Sequence, residues 1–128
     1  MATRSRAIKA LDKAFSQWVR LSGADHRGMV SCWTCGKEKH WKEVDAGHFQ
    51  TRAKYSIRWE PLNVKPQCKH CNMTNGGHQH LFAKRLDAVY GEGTADKLTF
   101  EGNQVRKWPL DEIVALSALY RSKVSELL

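Results

Sequence analysis

Two cysteine pairs, Cys32-Trp-Thr-Cys35 and Cys68-Lys-His-Cys71, limit what this chain can fold into more than any other feature. Each pair places two sulfurs on one tight turn, where backbone amides can stabilise thiolates. Four thiolates match the tetrahedral preference of zinc. In a reducing compartment such pairs are metal ligands more often than disulfides. Thirty-two residues lie between the pairs, enough for an inserted β-hairpin. The competing redox reading of CxxC lacks a βαβ context here. His40 and His70 are spare ligands that a complete four-cysteine set does not need. A zinc ion held by four thiolates has no open position for water, so it is expected to be structural, and any chemistry must lie elsewhere.

The 128 residues suit one domain, 1–128, with a modest core. Residues 5–22 form an amphipathic pattern in which Ala7, Ile8, Leu11, Phe15, Trp18 and Val19 recur at helical spacing. The other face carries Arg4, Arg6, Lys9, Lys13 and Arg20, suited to solvent or to phosphate. Residues 27–90 are expected to hold the zinc-stabilised core. Its strands are short, because Pro61 and Pro66 oppose a central strand. Trp33, Trp41 and Trp59 are expected to be core around the knuckles. From about Thr74 the pattern turns helical, with Asn75, Gly76 and Gly77 as a turn and Leu81, Phe82, Leu86, Val89 and Tyr90 on one face. TADKLTF suggests another helical turn. Residues 108–128 predict a last helix with Pro109 at its first position. Its stripe is Leu110, Ile113, Val114, Leu116, Tyr120, Val124 and Leu127, which serves equally for packing on its own domain or for a homodimer. The predicted class is α+β: a small finger with a four-cysteine zinc site, flanked by N- and C-terminal helices.

The formal charge is +8, from 21 Lys+Arg against 13 Asp+Glu. Charge of this sign speaks about partners rather than fold, and nucleic acid is the natural one. No apolar run approaches the ~18 residues of a membrane span, and the basic N-terminus has no apolar stretch after it. A cytoplasmic protein with no membrane partner is expected. The positive charge is concentrated between His48 and Asn72, where Arg52, Lys54, Arg58, Lys65 and Lys69 face a single acid, Glu60. These five are the candidate nucleic-acid contacts.

Within the same span, His48 ends a strand pattern, Asn63 lies on the return segment, and Asn72 follows the last cysteine and leads into a helix. Strand, strand, helix with His, Asn and a final His or Asn resembles the HNH, or His-Me finger, nucleases, whose ββα-metal element often carries zinc knuckles. The series AGHF, Arg52, RWEPLNV, QC and CN, followed by LDAVYGEGTADKL, is similar to the NinG/Rap family of lambdoid phage recombination endonucleases, from about Ala14 to Leu98. The resemblance implies a metal-dependent DNA endonuclease of the bacterial host cytoplasm. Its substrates would be branched recombination intermediates such as Holliday junctions and D-loops. It implies His48 as general base, Asn63 or a backbone carbonyl holding the imidazole, and Mg²⁺ or Mn²⁺ on Asn72, with His78 or His80 as further ligands. A histidine with a pKa near ~6.5 suits proton abstraction at neutral pH.

Two departures stand out. Many HNH proteins have an aspartate just before the histidine, where this chain has Gly47. Asp45 is close in sequence, but strand alternation sends it to the face opposite His48. Asn72, not a histidine, occupies the third place. Members of the family are also commonly longer. The alternative reading is a non-catalytic zinc-knuckle module that binds nucleic acid, which has no need of His48 and its asparagine partners.

Overall fold

The computed structural model describes residues 3–74 and 76–128; Asn75, expected in the turn before the second helical segment, lies outside them. Helix α1 spans Arg4–Ser22, with the Thr3 hydroxyl accepting from the Arg6 amide at its start. It buries Ala7, Leu11, Ala14, Phe15, Val19 and Leu21, one more alanine and one more leucine than the periodicity marks. Strand β1 (Met29–Ser31) pairs antiparallel with β2 (Glu38–His40), and the first cysteine pair sits in the turn between them. Strand β3 (Val44–His48) pairs antiparallel with β4 (Val64–Cys68), with Val44 opposite Cys68 and His48 opposite Val64. A wide helical turn at His70–Thr74 follows, then α2 (Gln79–Tyr90), α3 (Thr94–Gly102) and α4 (Leu110–Leu127). No helix among the described residues is long and apolar enough to cross a membrane.

Packing divides into three clusters. In the first, α1 meets α4, Trp59 and Val64, with Ile113 and Tyr120 closing over Leu11 and Phe15. In the second, Phe82 and Leu86 of α2 meet Ala95 and Leu98 of α3, with Phe49 and Trp33 packed against them. The third is the four cysteines, of which Cys32, Cys68 and Cys71 are buried. His48 stands at the seam: Ala46, two residues before it, packs on the first cluster, and Phe49 packs on the second.

Several expectations change. Helix α2 starts at Gln79, after a turn in which Gly76, Gly77 and His78 all have positive φ. Only Phe82 and Leu86 of its five marked apolar residues are buried; Leu81, Val89 and Tyr90 are exposed, because α3 covers a narrow strip. TADKLTF forms a full helix rather than one turn. The buried stripe of α4 is Ile113, Ser117, Tyr120 and Val124, a regular helical repeat that includes a serine; Leu110, Val114 and Leu127 are exposed. Trp41 belongs to a short helical turn, not to the strand, and carries the Arg20 guanidinium over its ring. Trp33 is only half-buried, stacked beside Tyr90 with Lys65 and Arg85 over it.

One close approach fixes the second ribbon. A Cβ on Gly47 would lie 1.9 Å from Gln67 Oε1. Gln67 is wholly buried, and its amide nitrogen donates to the Gly77 carbonyl at 2.8 Å and to the Thr34 hydroxyl at 3.1 Å. The glutamine therefore ties the strand to both flanking turns and occupies the space a side chain at 47 would need.

Candidate metal centre and histidine cleft

The two knuckles bring all four cysteine Sγ atoms within 4.8 Å of one another, and no disulfide joins them. Cys35 Sγ and Cys68 Sγ lie 3.7 Å apart. A tetrahedron with ~2.3 Å Zn–S bonds has edges of roughly 3.8 Å, so that pair stands at zinc spacing and the others lie close enough to close on an ion. Backbone amides support them: the Cys71 N–H points at Cys68 Sγ at 3.5 Å. Burial pushes the Cys71 thiol up, to about 12, and neighbouring thiols add to it. Burial also opposes ionisation of Cys32, but backbone N–H groups of Cys35 and Cys68 outweigh it and bring that thiol down to about 6. Four crowded sulfurs cannot all ionise without a cation among them, and a divalent ion of soft-ligand preference fits that demand. The cluster is a metal-binding site consistent with structural zinc.

The second site is an open cleft of about 410 Å³ whose lining includes Asp12 and Ser16 of α1, His48 of β3, Thr51 and Arg52 of the loop, and Asn72. The His48 Nε2 lies 3.1 Å from the backbone carbonyl of Arg58. A carbonyl only accepts, so Nε2 carries the proton and Nδ1 is the basic nitrogen. Burial lowers the His48 pKa below the ordinary histidine value, and the positive charges of Arg52 and Arg58 act in the same direction. The imidazole is thus neutral at neutral pH.

The carbonyl that fixes His48 is itself held. Arg58 Nη2 donates to Asp12 Oδ2 at 2.6 Å and its Nε to Asp12 Oδ1 at 3.1 Å, a bidentate pair. Trp59 Nε1 adds a bond to Asp12 Oδ1 at 2.9 Å. Asp12 was not foreseen. The signal lay in α1, where it is the lone acid among five basic residues, but its partners are 46 and 47 residues away.

Asn63 does not reach the cleft. It is wholly buried. Its Oδ1 accepts from the Gln50 amide at 2.8 Å, and its Nδ2 donates to the carbonyls of Gln50 and Ile57 at 3.1 and 3.3 Å. It closes the loop between β3 and β4 at its base, and it stands behind the strand end that carries His48 rather than in the cleft lining. Asn72 does line the cleft, with its Nδ2 donating to Asp45 Oδ2 at 3.1 Å. Asp45 also pairs with Lys69 at 2.8 Å, and neither it nor His78 is part of the cleft lining. His78 instead forms the left-handed step into α2. Among the described residues, the cysteines are the one cluster of three or more His, Cys, Asp or Glu placed to hold an ion. With Asp12 engaged by Arg58, the cleft has no preformed cage for a catalytic cation.

The candidate phosphate contacts separate in the same way. Arg58 is committed to Asp12, and Lys69 to Asp45. Lys54 bonds Gln50 Oε1 at 2.9 Å and Asn103 Oδ1 at 2.8 Å. Lys65 bonds the Tyr90 hydroxyl beside Trp33. Arg52 alone of the five is both exposed and in the cleft. The segment is basic as its sequence shows, but four of its cations are engaged by neighbouring side chains, Lys69 while still exposed.

Fold and cysteine cluster together define a small mixed α/β domain organised on a four-thiolate metal site, with two small antiparallel ribbons between helices. The family model described as bacteriophage lambda NinG protein matches residues 1–128, and the chain belongs to that family. It is 28% identical over 127 residues to protein ninG of Escherichia phage lambda, covering 97% of this chain and 58% of the relative. The values for the ninG proteins of Escherichia phage 933W and Salmonella phage P22 are also 28%, with 59% of each relative covered. The chain thus spans less than three-fifths of the length of these relatives. No solved structure matches it.

Proposed function

We propose that this chain is a DNA endonuclease of the HNH type that cuts branched recombination intermediates, with His48 as general base. The observation that carries the reading is His48 with its Nε2 3.1 Å from the Arg58 carbonyl, in an open cleft beside Arg52 and Asn72. Its place at the end of β3, with β4 and a helical turn following, supports a ββα finger. His48 Nδ1 would take the proton of a water, whose oxygen attacks phosphorus. The P–O3′ bond breaks, and the 3′ oxygen leaves as a hydroxyl after taking a proton from solvent. Arg52 supplies positive charge to the phosphate. The resemblance adds a requirement for Mg²⁺ or Mn²⁺; since the cleft offers Asn72 but no cage, no step is assigned to the ion.

The test is cleavage of labelled Holliday-junction, D-loop and linear duplex DNA with Mg²⁺ or Mn²⁺. Replacing His48 by alanine is expected to cut the rate by roughly 10²–10⁴ with zinc content and DNA affinity unchanged. A wild type that cuts nothing with either ion leaves a zinc-stabilised nucleic-acid-binding module.

A further inference from the structure

We infer that one side of helix α1 forms a phosphate-binding wall that carries a nucleic-acid strand past the His48 cleft, with Lys9 as its principal contact and Ser5 and Arg4 beside it. The inference rests on the proposed reading for its partner, and it adds a surface outside the cysteine-bounded core.

Two further depressions, of about 620 and 520 Å³, have basic linings and differ in how that charge is offset. The first, about 620 Å³, is lined by Arg4, Ser5, Lys9 and Tyr55, and it shares Asp12 and Arg52 with the His48 cleft. Shared lining makes the two continuous. Ser5, Lys9, Asp12 and Ser16 recur at helical spacing, so a single stripe of α1 runs along both. From Ser5 to Ser16 the helix rises about 16 Å, the axial advance of roughly five nucleotides in one strand of a duplex. Asp12 is the one acid in either lining, and Arg58 already neutralises it. Arg4 Nη1 donates to the Trp108 carbonyl at 2.7 Å but meets no acid, so Arg4, Lys9 and Arg52 act as uncompensated charge along the groove, with Lys9 and Arg52 exposed.

The other depression, about 520 Å³, has Lys37, Lys39, Lys42 and Lys69 around Cys68. There the charge is offset. Glu43 shares the lining, Lys69 is paired with Asp45, and four thiolates on a divalent ion would keep a net negative charge beside them.

The experiment compares charge reversal at one exposed lysine of each: Lys9→Glu and Lys39→Glu. Binding of a fluorescein-labelled duplex and of a labelled four-way junction is measured over a KCl series without added Mg²⁺ or Mn²⁺, after circular dichroism has shown both variants folded. Lys9→Glu is expected to weaken binding about tenfold and to flatten the dependence of log Kd on log salt by about one unit, as loss of one phosphate contact requires. Lys39→Glu is expected to change affinity less than about twofold. Equal effects of the two variants, or a wild type that binds neither DNA, would overturn the inference. A wild type that cleaves DNA but is indifferent to Lys9→Glu removes the wall and keeps the nuclease reading. One that never cleaves, yet loses binding through Lys9 alone, does the reverse.

Discussion

The cysteine cluster and the histidine cleft lie on the same ribbon, at opposite ends of β3 and β4, yet they are built on opposite plans. At the cluster end, the protein supplies every donor a metal needs, from two turns brought together by the strands. At the cleft end, the donors are mostly spoken for. Asp12 holds Arg58, Asp45 holds Lys69 and Asn72, and Asn63 holds the loop. Among the described residues of the lining, the other imidazole nitrogen of His48, the exposed Arg52 and the Asn72 carbonyl oxygen have no partner. A closed site gives stability; an open one keeps a reactive group in a fixed pose for something that arrives from outside. The same short ribbon lets the first kind of site make the second rigid.

The contrast can be broken from its strong side first. Removing the metal by chelation, or replacing Cys71 with serine, is expected to cost on the order of 10 kcal/mol, comparable with the whole stability of such a domain. Near-ultraviolet circular dichroism of the tryptophans would then collapse; an unchanged spectrum in a metal-free sample would mean the apolar clusters hold the ribbon alone. The next effect is smaller and strikes the link between the two ends. Asn63→Ala leaves the Gln50 amide and carbonyl without partners and the Ile57 carbonyl with the Glu60 N–H alone, and is expected to cost roughly 2–4 kcal/mol in urea unfolding, with zinc still bound. A cost near zero would show that the loop is held by its backbone bonds alone.

The smallest effect is a pH dependence at the open end. His48 has a folded-state pKa below its unfolded value. The neutral imidazole is favoured by folding, so this contribution is present above the unfolded pKa of ~6.5 and is lost as pH falls through the window beneath it. NMR titration of the His48 ring should find its midpoint below that of an ordinary histidine, and cleavage should keep its rate to correspondingly lower pH. A midpoint above the ordinary value would mean the imidazole is held charged, contrary to its burial.

Local signals made much of this legible. The cysteine spacing announced the metal centre, the three-and-four repeat announced α1, and the proline pattern announced short strands. His48 was marked by its place at a strand end within a basic stretch. What local signals could not carry was commitment. Arg58 and Lys69 look like free cations in the sequence because Asp12 and Asp45 lie 46 and 24 residues away. The resemblance offers Asn63 or a backbone carbonyl to hold the imidazole; the Arg58 carbonyl stands there, and buried Asn63 closes the loop with three bonds. The apolar faces of α2 and α4 were over-read for a related reason: a helix pattern shows which residues prefer burial, not how much surface a neighbour has available to cover them. Ser117 is the mirror case, a polar residue drawn inside by its position between Ile113 and Tyr120.

The tight approach at Gly47 bears on how sequences of this kind can drift. An aspartate before the histidine is a small chemical step on paper, but here the site is filled by the Gln67 amide. Shortening Gln67 first would strip partners from Thr34 and Gly77, and enlarging Gly47 first would drive the ribbon apart. Neither order of change is smooth, so the two positions are expected to travel together through lineages, as a linked pair rather than as two independent sites. A library randomised at both should recover acidic residues at 47 chiefly where 67 has become small.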